Sequence, residues 1–308
     1  MFPSGPALYL KAAVLGVFVG SAAYVHLRGT VRHRLTRQLT DHSTFLAPVN
    51  ALFYLFSRVP NRPFLDDRHL PELASLTAHW RTIRDEGLRL LDDGFVRAAD
   101  GYNDLGFNSF FRTGWKRFYV KWYDETLASA ERLCPETVRL VRGVPSVHGA
   151  MFALLPPGAR LVRHRDPFAG SLRYHLGLST PNSDECYIEV DGIRRGWRDG
   201  EALIFDETFI HHAENRTDRV RLILFCDVDR PLRGAPARAI NRFIVNHVVK
   251  ATATRNVAGD RIGLANRMFA AVYRIRLLAK RLKAWDRRVY YGLKYAVVGA
   301  AVAAILLR

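Results

Sequence analysis

Cysteine and acidic side chains are both scarce in this sequence. It has 3 cysteines among 308 residues, and its 29 Asp and Glu residues stand against 46 Lys and Arg residues. Cys134, Cys186 and Cys226 are odd in number and widely spaced, with no CxxC pair. This pattern argues against a disulfide framework and a structural zinc site, and it favours a reducing compartment. The shortage of acidic residues leaves a formal net charge of +17, which predicts an anionic partner.

Nucleic-acid-binding modules are also missing. The sequence has no zinc-finger spacing, no basic region followed by heptads and no RNA-binding aromatic signature, and no internal repeat or low-complexity tract stands out. We therefore expect no nucleic-acid partner. The remaining explanations of the charge are a phosphate-bearing substrate and an acidic membrane surface.

Long apolar runs occur only at the two ends of the chain. Residues 7–27 are apolar apart from Lys11 and His26, and as a helix they would span about 31 Å, enough to cross a bilayer. A cleaved signal peptide is the alternative, but most of the positive charge follows the run instead of preceding it. We therefore predict a transmembrane anchor at residues 1–28. Four arginines come directly after it: Arg28, Arg32, Arg34 and Arg37.

These arginines predict, by the positive-inside rule, that the body of the chain is cytoplasmic. A second apolar run predicts a C-terminal transmembrane anchor at residues 290–308, and clustered basic residues before it give the same orientation. Residues 236–289 form a basic region in which apolar side chains from Leu264 to Val289 recur at spacings of three and four. That pattern predicts an amphipathic helix that lies either on the protein's own core or on an anionic leaflet.

Between the anchors the sequence divides into two regions. Residues 29–145 mix basic, helical and aromatic segments, with the clearest helix at Leu70–Asp92. Residues 146–235 contain short alternating or apolar runs separated by turn signals such as Asp191-Gly192. We therefore predict a mainly β fold with surrounding helices, built on an antiparallel sandwich or barrel at residues 146–235.

A set of metal-binding side chains lies in this β region. His164 and Asp166 are two residues apart, so in an extended segment they point to one face. A third ligand would come from His211 or His212, just before another apolar run. Two histidines and one carboxylate leave open positions on a metal, which suits non-haem iron(II). A bare HxD pair is usually a surface or capping feature, so the prediction depends on its neighbours.

Those neighbours are basic residues on adjacent predicted strands. Arg173 and His175 follow the HxD pair, and Arg221 comes ten residues after His211. A dicarboxylate co-substrate held at one end by a metal requires such groups, because arginine forms a charge-assisted fork on a carboxylate. The alternative for each arginine is an outward, solvated charge.

Several long segments resemble one enzyme family. Residues 156–233 resemble the aspartyl/asparaginyl β-hydroxylase family of 2-oxoglutarate oxygenases. The segments LFSRVPNRPFLD, GFNSFFRTGWKRFYVKWYDE, LCPETVRLV and FALLPPGARLVRHRDPFAGSLRYHLGLSTP, together with the apolar termini, are similar to the branch of bacterial lipid A 2-hydroxylases. The resemblance implies a double-stranded β-helix, or jelly roll, that uses iron(II), 2-oxoglutarate and dioxygen.

The resemblance also implies roles for single residues. His164 and His211 match the two iron histidines, so His212 is a neighbour and not a ligand. Asp166 matches a carboxylate of the lipid A branch that the peptidyl branch lacks. Ala153 stands where the peptidyl branch has a serine that contacts the co-substrate. The residues implied to hold 2-oxoglutarate are Arg173, His175 and Arg221.

The implied reaction is hydroxylation of lipid A at C-2 of a secondary fatty acyl chain, on the cytoplasmic face of a bacterial inner membrane. Hydroxylation of Asp or Asn in a peptide is the first alternative, and a non-catalytic scaffold that binds anionic lipid is the second. The sequence leaves the oligomeric state open. Four basic residues could contact the substrate's phosphates or form a solvated face: Arg112, Lys116, Arg117 and Lys121.

Overall fold

The structure is a computed structural model that describes residues 6–39, 41–99, 104, 106–123, 125–294 and 296. Its strands are β1 (Phe64–Leu65), β2 (Lys116–Trp122), β3 (Glu125–Thr126), β4 (Val147–Leu155), β5 (Ser171–Ser179), β6 (Cys186–Val190), β7 (Ile193–Gly196), β8 (Ala202–Phe205), β9 (His211–Asn215) and β10 (Arg221–Asp229). Its α-helices are α1 (Pro6–Leu27), α2 (Leu35–Gln38), α3 (His42–Phe45), α4 (Ala47–Phe56), α5 (Ala74–Ala78), α6 (Trp80–Asp92), α7 (Ala128–Leu133), α8 (Pro135–Arg142), α9 (Ala235–Ile244) and α10 (Leu264–Trp285).

The strands form two antiparallel sheets. The larger sheet has seven strands in the order β1-β8-β5-β10-β4-β2-β3, and the smaller has three in the order β7-β6-β9. Side chains of the two sheets meet between them, since the ring of Phe205 on β8 lies 5.7 Å from the ring of His211 on β9. The expectation of a mainly β fold with antiparallel sheets and surrounding helices is confirmed.

The turn chemistry also follows the prediction. Val190 and Ile193 are register partners at the end of the β6–β7 hairpin, so its loop consists of Asp191 and Gly192 alone. Both residues have positive φ, 51° and 86°. A two-residue hairpin loop of this kind requires positive φ at both positions, which Asp-Gly supplies at little cost.

The predicted helix at Leu70–Asp92 is interrupted. Pro71–Leu73 is a 3-10 turn, and α5 and α6 are separated at His79, whose φ and ψ are −102° and 21°. The ring Nδ1 of His79 lies 2.8 Å from the carbonyl oxygen of Ser75, the oxygen that an unbroken helix would offer to the backbone N–H of residue 79. The backbone N–H of His79 instead donates to Leu76. A local side-chain bond therefore replaces a helical one.

One helix of the described residues is long and apolar enough to cross a membrane. It covers Tyr9–Leu27 within α1, and most of its surface is exposed. Ser21 and Val25 near its C-terminal end are buried, because that end packs on α3 and α4. The predicted C-terminal anchor at residues 290–308 lies, beyond residue 296, outside the described part of the chain.

Glu86 on α6 joins two of the helices that cover the larger sheet. Its buried carboxylate accepts hydrogen bonds from the backbone N–H groups of Glu136 and Thr137, at 3.2 and 2.7 Å, and from the Thr137 hydroxyl at 2.6 Å. A carboxylate at a helix N-terminus satisfies orphan donors and interacts favourably with the helix dipole. Glu86 therefore caps α8.

We expect Glu86→Ala to lower the free energy of unfolding by about 2–3 kcal/mol, because it leaves buried N–H groups of α8 without acceptors. Thermal unfolding of the detergent-solubilised protein measures this loss. Asp85→Ala is the matched control, since Asp85 is half exposed and bonds only its neighbour Arg84 among the described contacts. Equal melting temperatures for the two variants would contradict the capping role.

Candidate metal centre

Three side chains from two segments converge at one end of the smaller sheet. The segment around residue 164 pairs with β9, because the backbone N–H groups of His164 and His211 donate to each other's carbonyl oxygens at 3.0 and 2.8 Å. Ligand atoms of His164, Asp166 and His211 all lie within 4.8 Å of one another. The predicted HxD pair and one of the two candidate histidines therefore meet in space, as a facial set of two imidazoles and one carboxylate requires.

Backbone carbonyls fix the proton on each imidazole. Nδ1 of His164 lies 2.7 Å from the carbonyl oxygen of Val162, and Nδ1 of His211 lies 2.9 Å from that of Phe209. A carbonyl oxygen only accepts, so each Nδ1 carries a hydrogen, and in a neutral ring of this tautomer Nε2 has the free lone pair. This is the arrangement in which a histidine binds a metal through Nε2. The donor set therefore fits a divalent transition metal.

His212, the other candidate, points away from this cluster. Its Nδ1 lies 3.7 Å from Glu189 on the neighbouring strand β6. Successive residues of a strand face opposite sides of the sheet, so only one of His211 and His212 can face His164. The structure gives that position to His211.

Asp166 is held by an arginine with several acidic partners. The guanidinium of Arg173 on β5 forms ion pairs with Asp166, Glu207 and Asp227, and it is buried. Nη1 meets Asp227, while Nη2 meets the other two carboxylates. Arg173 was expected to bind 2-oxoglutarate. Its terminal donors are instead taken by protein carboxylates, so the structure gives it the role of orienting Asp166.

This cluster sets the charge of the carboxylates. Burial favours the neutral form, but Arg173, through its charge and its hydrogen bond, and the two neighbouring histidines together outweigh it and hold the pKa of Asp166 below its ordinary value. Burial, with repulsion from its acidic neighbours, raises the pKa of Glu207 well above its ordinary value. The cluster therefore favours the ionised form of the candidate ligand Asp166. Burial also lowers the pKa of His211 to about 3, so its imidazole is neutral.

A second group of buried polar atoms has no protein partner among the described residues. It comprises both ring nitrogens of His175, Nε1 of Trp197, and Nε and Nη2 of Arg221. The ring centroids of His175 and Trp197 are 6.0 Å apart, and Cζ of Arg221 lies 4.4 Å from the Trp197 ring centroid. Buried polar groups are almost always paired in folded proteins. This group therefore has the chemistry of an anion-binding site.

The site lies next to the metal cluster. Burial, together with the charges of Arg221, Arg173 and His211, lowers the pKa of His175 well below its ordinary value. Burial also lowers the pKa of Arg221 to about 10, with no carboxylate among its neighbours to oppose the shift. Within the described part of the chain, Arg221 is thus a cation without a carboxylate partner. Trp197 was missed by sequence reasoning, because a single tryptophan between two turns carries no recognisable motif.

An aromatic wall borders the metal cluster. It consists of partly exposed Phe107, Phe110 and Phe111 packed on buried Trp115. The ring centroid of Phe110 is 5.0 Å from that of His164. The sequence drew attention to the charges of this stretch, but the structure brings one of its aromatic rings, that of Phe110, to the candidate ligand His164.

The four basic residues expected to contact phosphates differ in exposure. Arg112 and Lys116 are exposed, whereas Lys121 is half-buried and donates to the carbonyl oxygen of Val147 at 2.6 Å. Arg117 is buried, and its Nε donates to Asp104 at 3.0 Å. The expectation for Arg117 is corrected, because a buried guanidinium paired with a buried carboxylate is a structural ion pair.

Comparison with known proteins identifies the class of protein that this fold and site define. Residues 77–231, just over half of the chain, match the model of the aspartyl/asparaginyl beta-hydroxylase family. The chain is also 32% identical over 206 residues to an ornithine lipid ester-linked acyl 2-hydroxylase of Rhizobium tropici, covering 66% of this chain and 73% of that protein. The chain belongs to the aspartyl/asparaginyl β-hydroxylase family, and it is by class a hydroxylase of the dioxygenase type.

The match to more distant relatives covers a smaller share of each relative's length. The human aspartyl/asparaginyl beta-hydroxylase is 28% identical over 165 residues, which are 51% of this chain but 21% of the human protein. Among solved structures, a prolyl-4-hydroxylase of Pseudomonas putida superposes with a TM-score of 0.34 at 18% identity, over 53% of this chain and 98% of that one.

The two adjacent histidines allow a matched test of the metal centre. We expect His211→Ala to weaken binding of a probe metal, Co(II), by at least about a hundredfold, because a tripod loses one of its three ligands. His212→Ala keeps all three and should bind Co(II) within a few-fold of the unchanged protein. Isothermal titration of the metal-free full chain with Co(II) measures both affinities. A larger loss of affinity in His212→Ala than in His211→Ala would make His212 the ligand instead of His211.

Proposed function

We propose that the chain is an iron(II)- and 2-oxoglutarate-dependent hydroxylase of lipid A, acting at C-2 of a secondary fatty acyl chain on the cytoplasmic face of the bacterial inner membrane. The observation that carries the proposal is the pairing of two sites: a His-Asp-His cluster with free Nε2 atoms, and beside it a buried arginine without a counter-ion. A dicarboxylate that chelates a metal at one end needs a cation at the other. The family supports the same chemistry.

His164, Asp166 and His211 would hold the iron, at which dioxygen and 2-oxoglutarate would together supply the oxidising power needed to break an unactivated C–H bond. Arg221 would bind the distal carboxylate of 2-oxoglutarate, with its guanidinium already seated on Trp197. The ring nitrogens of His175 and Nε1 of Trp197 would provide further polar contacts. Arg173 keeps Asp166 ionised and oriented, so the ligand carboxylate does not have to be ordered when the metal arrives.

The aromatic wall supports an acyl substrate over a peptide. Partly exposed phenylalanine rings beside a metal ligand favour a hydrocarbon chain, because burying apolar surface against it is favourable and makes no demand for hydrogen bonds. A polar Asp or Asn side chain in a peptide would need polar partners there. The Rhizobium tropici relative, by its name, hydroxylates an acyl chain at C-2.

That relative favours a second candidate substrate, an ester-linked acyl chain of an ornithine lipid. Both candidates share the reacting group, an acyl chain next to its carbonyl, and they differ in the headgroup. A phosphate-bearing lipid suits the net charge of +17 better than a zwitterionic one. The exposed basic side chains Arg112 and Lys116 stand close in sequence to the aromatic wall and are the proposed phosphate contacts.

Helix α10 supports an anionic membrane as a further partner. Its apolar stripe is exposed in the structure, so these residues do not pack on the protein's core: Leu264, Met268, Val272, Ile275, Leu278 and Trp285. Basic side chains occupy much of the rest of the helix. An exposed apolar stripe flanked by lysine and arginine is typical of a helix that lies in the headgroup region of an anionic leaflet.

Arg221 provides a test of the co-substrate site. We expect Arg221→Met to weaken 2-oxoglutarate binding about tenfold to a hundredfold, because a charge-assisted fork is lost. The same change should not lower the melting temperature of the protein without co-substrate, since it removes an uncompensated buried charge. Calorimetric titration with 2-oxoglutarate in the presence of metal and a thermal melt measure the two effects. Arg219→Met, in the exposed preceding turn, is the control.

The substrate is tested by mass spectrometry of membrane lipids from cells that express the unchanged chain or its His164→Ala variant. We expect one added oxygen on a secondary acyl chain of lipid A only with the unchanged chain, because the variant lacks a metal ligand. An added oxygen on ornithine lipid instead would transfer the assignment to the second candidate. Iron-dependent succinate release without any lipid product would favour the peptidyl alternative.

A further inference from the structure

The end of the membrane-crossing helix is built into the candidate metal centre. The juxtamembrane segment, residues 25–50, runs from the last turn of α1 to the middle of α4. It contacts both parts of the chain that carry candidate ligands, residues 163–169 and residues 206–211. These contacts are polar and partly buried, which makes them more directional than apolar packing.

Arg165 makes the most direct contact, since it stands between two candidate ligands in sequence. Its side chain is buried, and Nη1 donates to the carbonyl oxygen of Val25 in the last turn of α1 at 3.1 Å. The backbone oxygen of Arg165 lies 2.8 Å from Nε2 of His42. Asn50 donates to the carbonyl oxygen of Pro167 at 2.9 Å and accepts from the N–H of Ala169 at 2.9 Å. The HxD segment is thus held on both sides.

Arg28 makes the contact with the other ligand-bearing segment. Its side chain is 3% exposed and forms an ion pair with Asp206, while Nη1 donates to Thr208 at 2.6 Å. Its Cζ lies 3.9 Å from the ring centroids of both Tyr54 and Phe209. Phe209 is the residue whose carbonyl oxygen fixes the Nδ1 proton of His211. The sequence assigned Arg28 to the membrane flank, whereas the structure places its charge inside the protein.

We propose that the juxtamembrane segment positions the metal ligands, with Arg165 and Arg28 as the positioning residues. This inference rests on the proposed metal centre. The segment begins where α1 would leave the membrane, so the ligands are held at a fixed place relative to the bilayer surface instead of on a flexible tether. A catalytic centre held there meets the part of a lipid where the acyl chain joins its carbonyl, and C-2 lies at that junction.

The test compares Co(II) binding by metal-free, full-length protein in detergent micelles. We expect Arg165→Leu to raise the Kd for Co(II) about tenfold or more, the effect that loss of outer-shell support has on metal sites. Arg165→Lys keeps one donor toward Val25 and should recover part of the affinity. Arg34→Leu is the matched control, because it removes the same charge from an exposed position in the same segment, with no side-chain hydrogen bond or ion pair in the described structure.

A second variant keeps the test usable if Arg165→Leu does not fold. The His42 side chain is half exposed, and besides its bond to the Arg165 carbonyl oxygen its Nε2 has only a 3.9 Å contact with Asp41 among the described ion pairs and hydrogen bonds, so His42→Ala should raise the Kd about threefold without a change in melting temperature. Co(II) affinity within twofold of the unchanged protein in folded Arg165→Leu, or in His42→Ala, would overturn the inference. If the unchanged protein itself bound no Co(II), the proposed metal centre would fail instead.

Discussion

Arg173 and its three carboxylates form the constraint on which the centre of this protein depends. Removing an arginine from water costs several kcal/mol, and the cost is offset only when well-placed carboxylates surround the guanidinium. Here the partners come from three other parts of the chain: Asp166 from the HxD segment, Glu207 from the residues after β8, and Asp227 from β10. The ion cluster therefore fixes how these segments lie on β5. It also gives the candidate metal ligand its charge.

Neighbouring hydrogen bonds complete this cluster. Ser171 donates to Glu207 at 2.7 Å, and the Tyr123 hydroxyl donates to Asp227 at 3.1 Å. A polar network inside an apolar sandwich is stabilising only when its members are satisfied, because an unpaired buried charge is costly. Both terminal nitrogens of Arg173 meet carboxylates, while Oε2 of Glu207 has an ion-pair contact with Arg173 and no hydrogen bond among the described residues. The sequence alone does not show whether an arginine at position 173 pairs with protein carboxylates or binds a ligand.

Arg221 shows the opposite condition. Arg28, Arg117, Arg173 and Arg230 are all buried and each meets a carboxylate. Arg221 is equally buried, yet its Nε and Nη2 have no hydrogen-bond partner among the described residues. Burying an unpaired guanidinium is costly, and an anion that paired with Arg221 would offset that cost. Arg165 is also buried without a carboxylate partner among the described residues, but its Nη1 donates to the carbonyl oxygen of Val25, whereas the Arg221 guanidinium faces other groups that are also unpaired.

Much of this structure follows from local sequence patterns. The alternating strands of the β region and the β6–β7 hairpin with its Asp191-Gly192 turn were predicted, since both depend on neighbouring residues alone. The HxD pair and its third histidine were predicted as a set, and the structure brings them together. The break at His79 was not predicted, because one side-chain bond to Ser75 decides it. The partners of Arg173 and Arg117 were also missed, since ion pairs between distant segments leave no periodic signal.

Contacts between distant segments leave no periodic signal, which also explains why the connection between α1 and the candidate metal centre was not predicted. From sequence, the arginine after an apolar helix is explained completely by the positive-inside rule, and Arg165 is simply the middle residue of HRD. The folded chain uses both side chains differently, because the last turn of a helix has carbonyl oxygens without intrahelical donors. Arg165 supplies a donor to one of them at Val25. The carbonyl oxygen of Val25 and the buried guanidinium of Arg165 thus satisfy each other in part, and their contact joins the end of α1 to the segment that carries two candidate ligands.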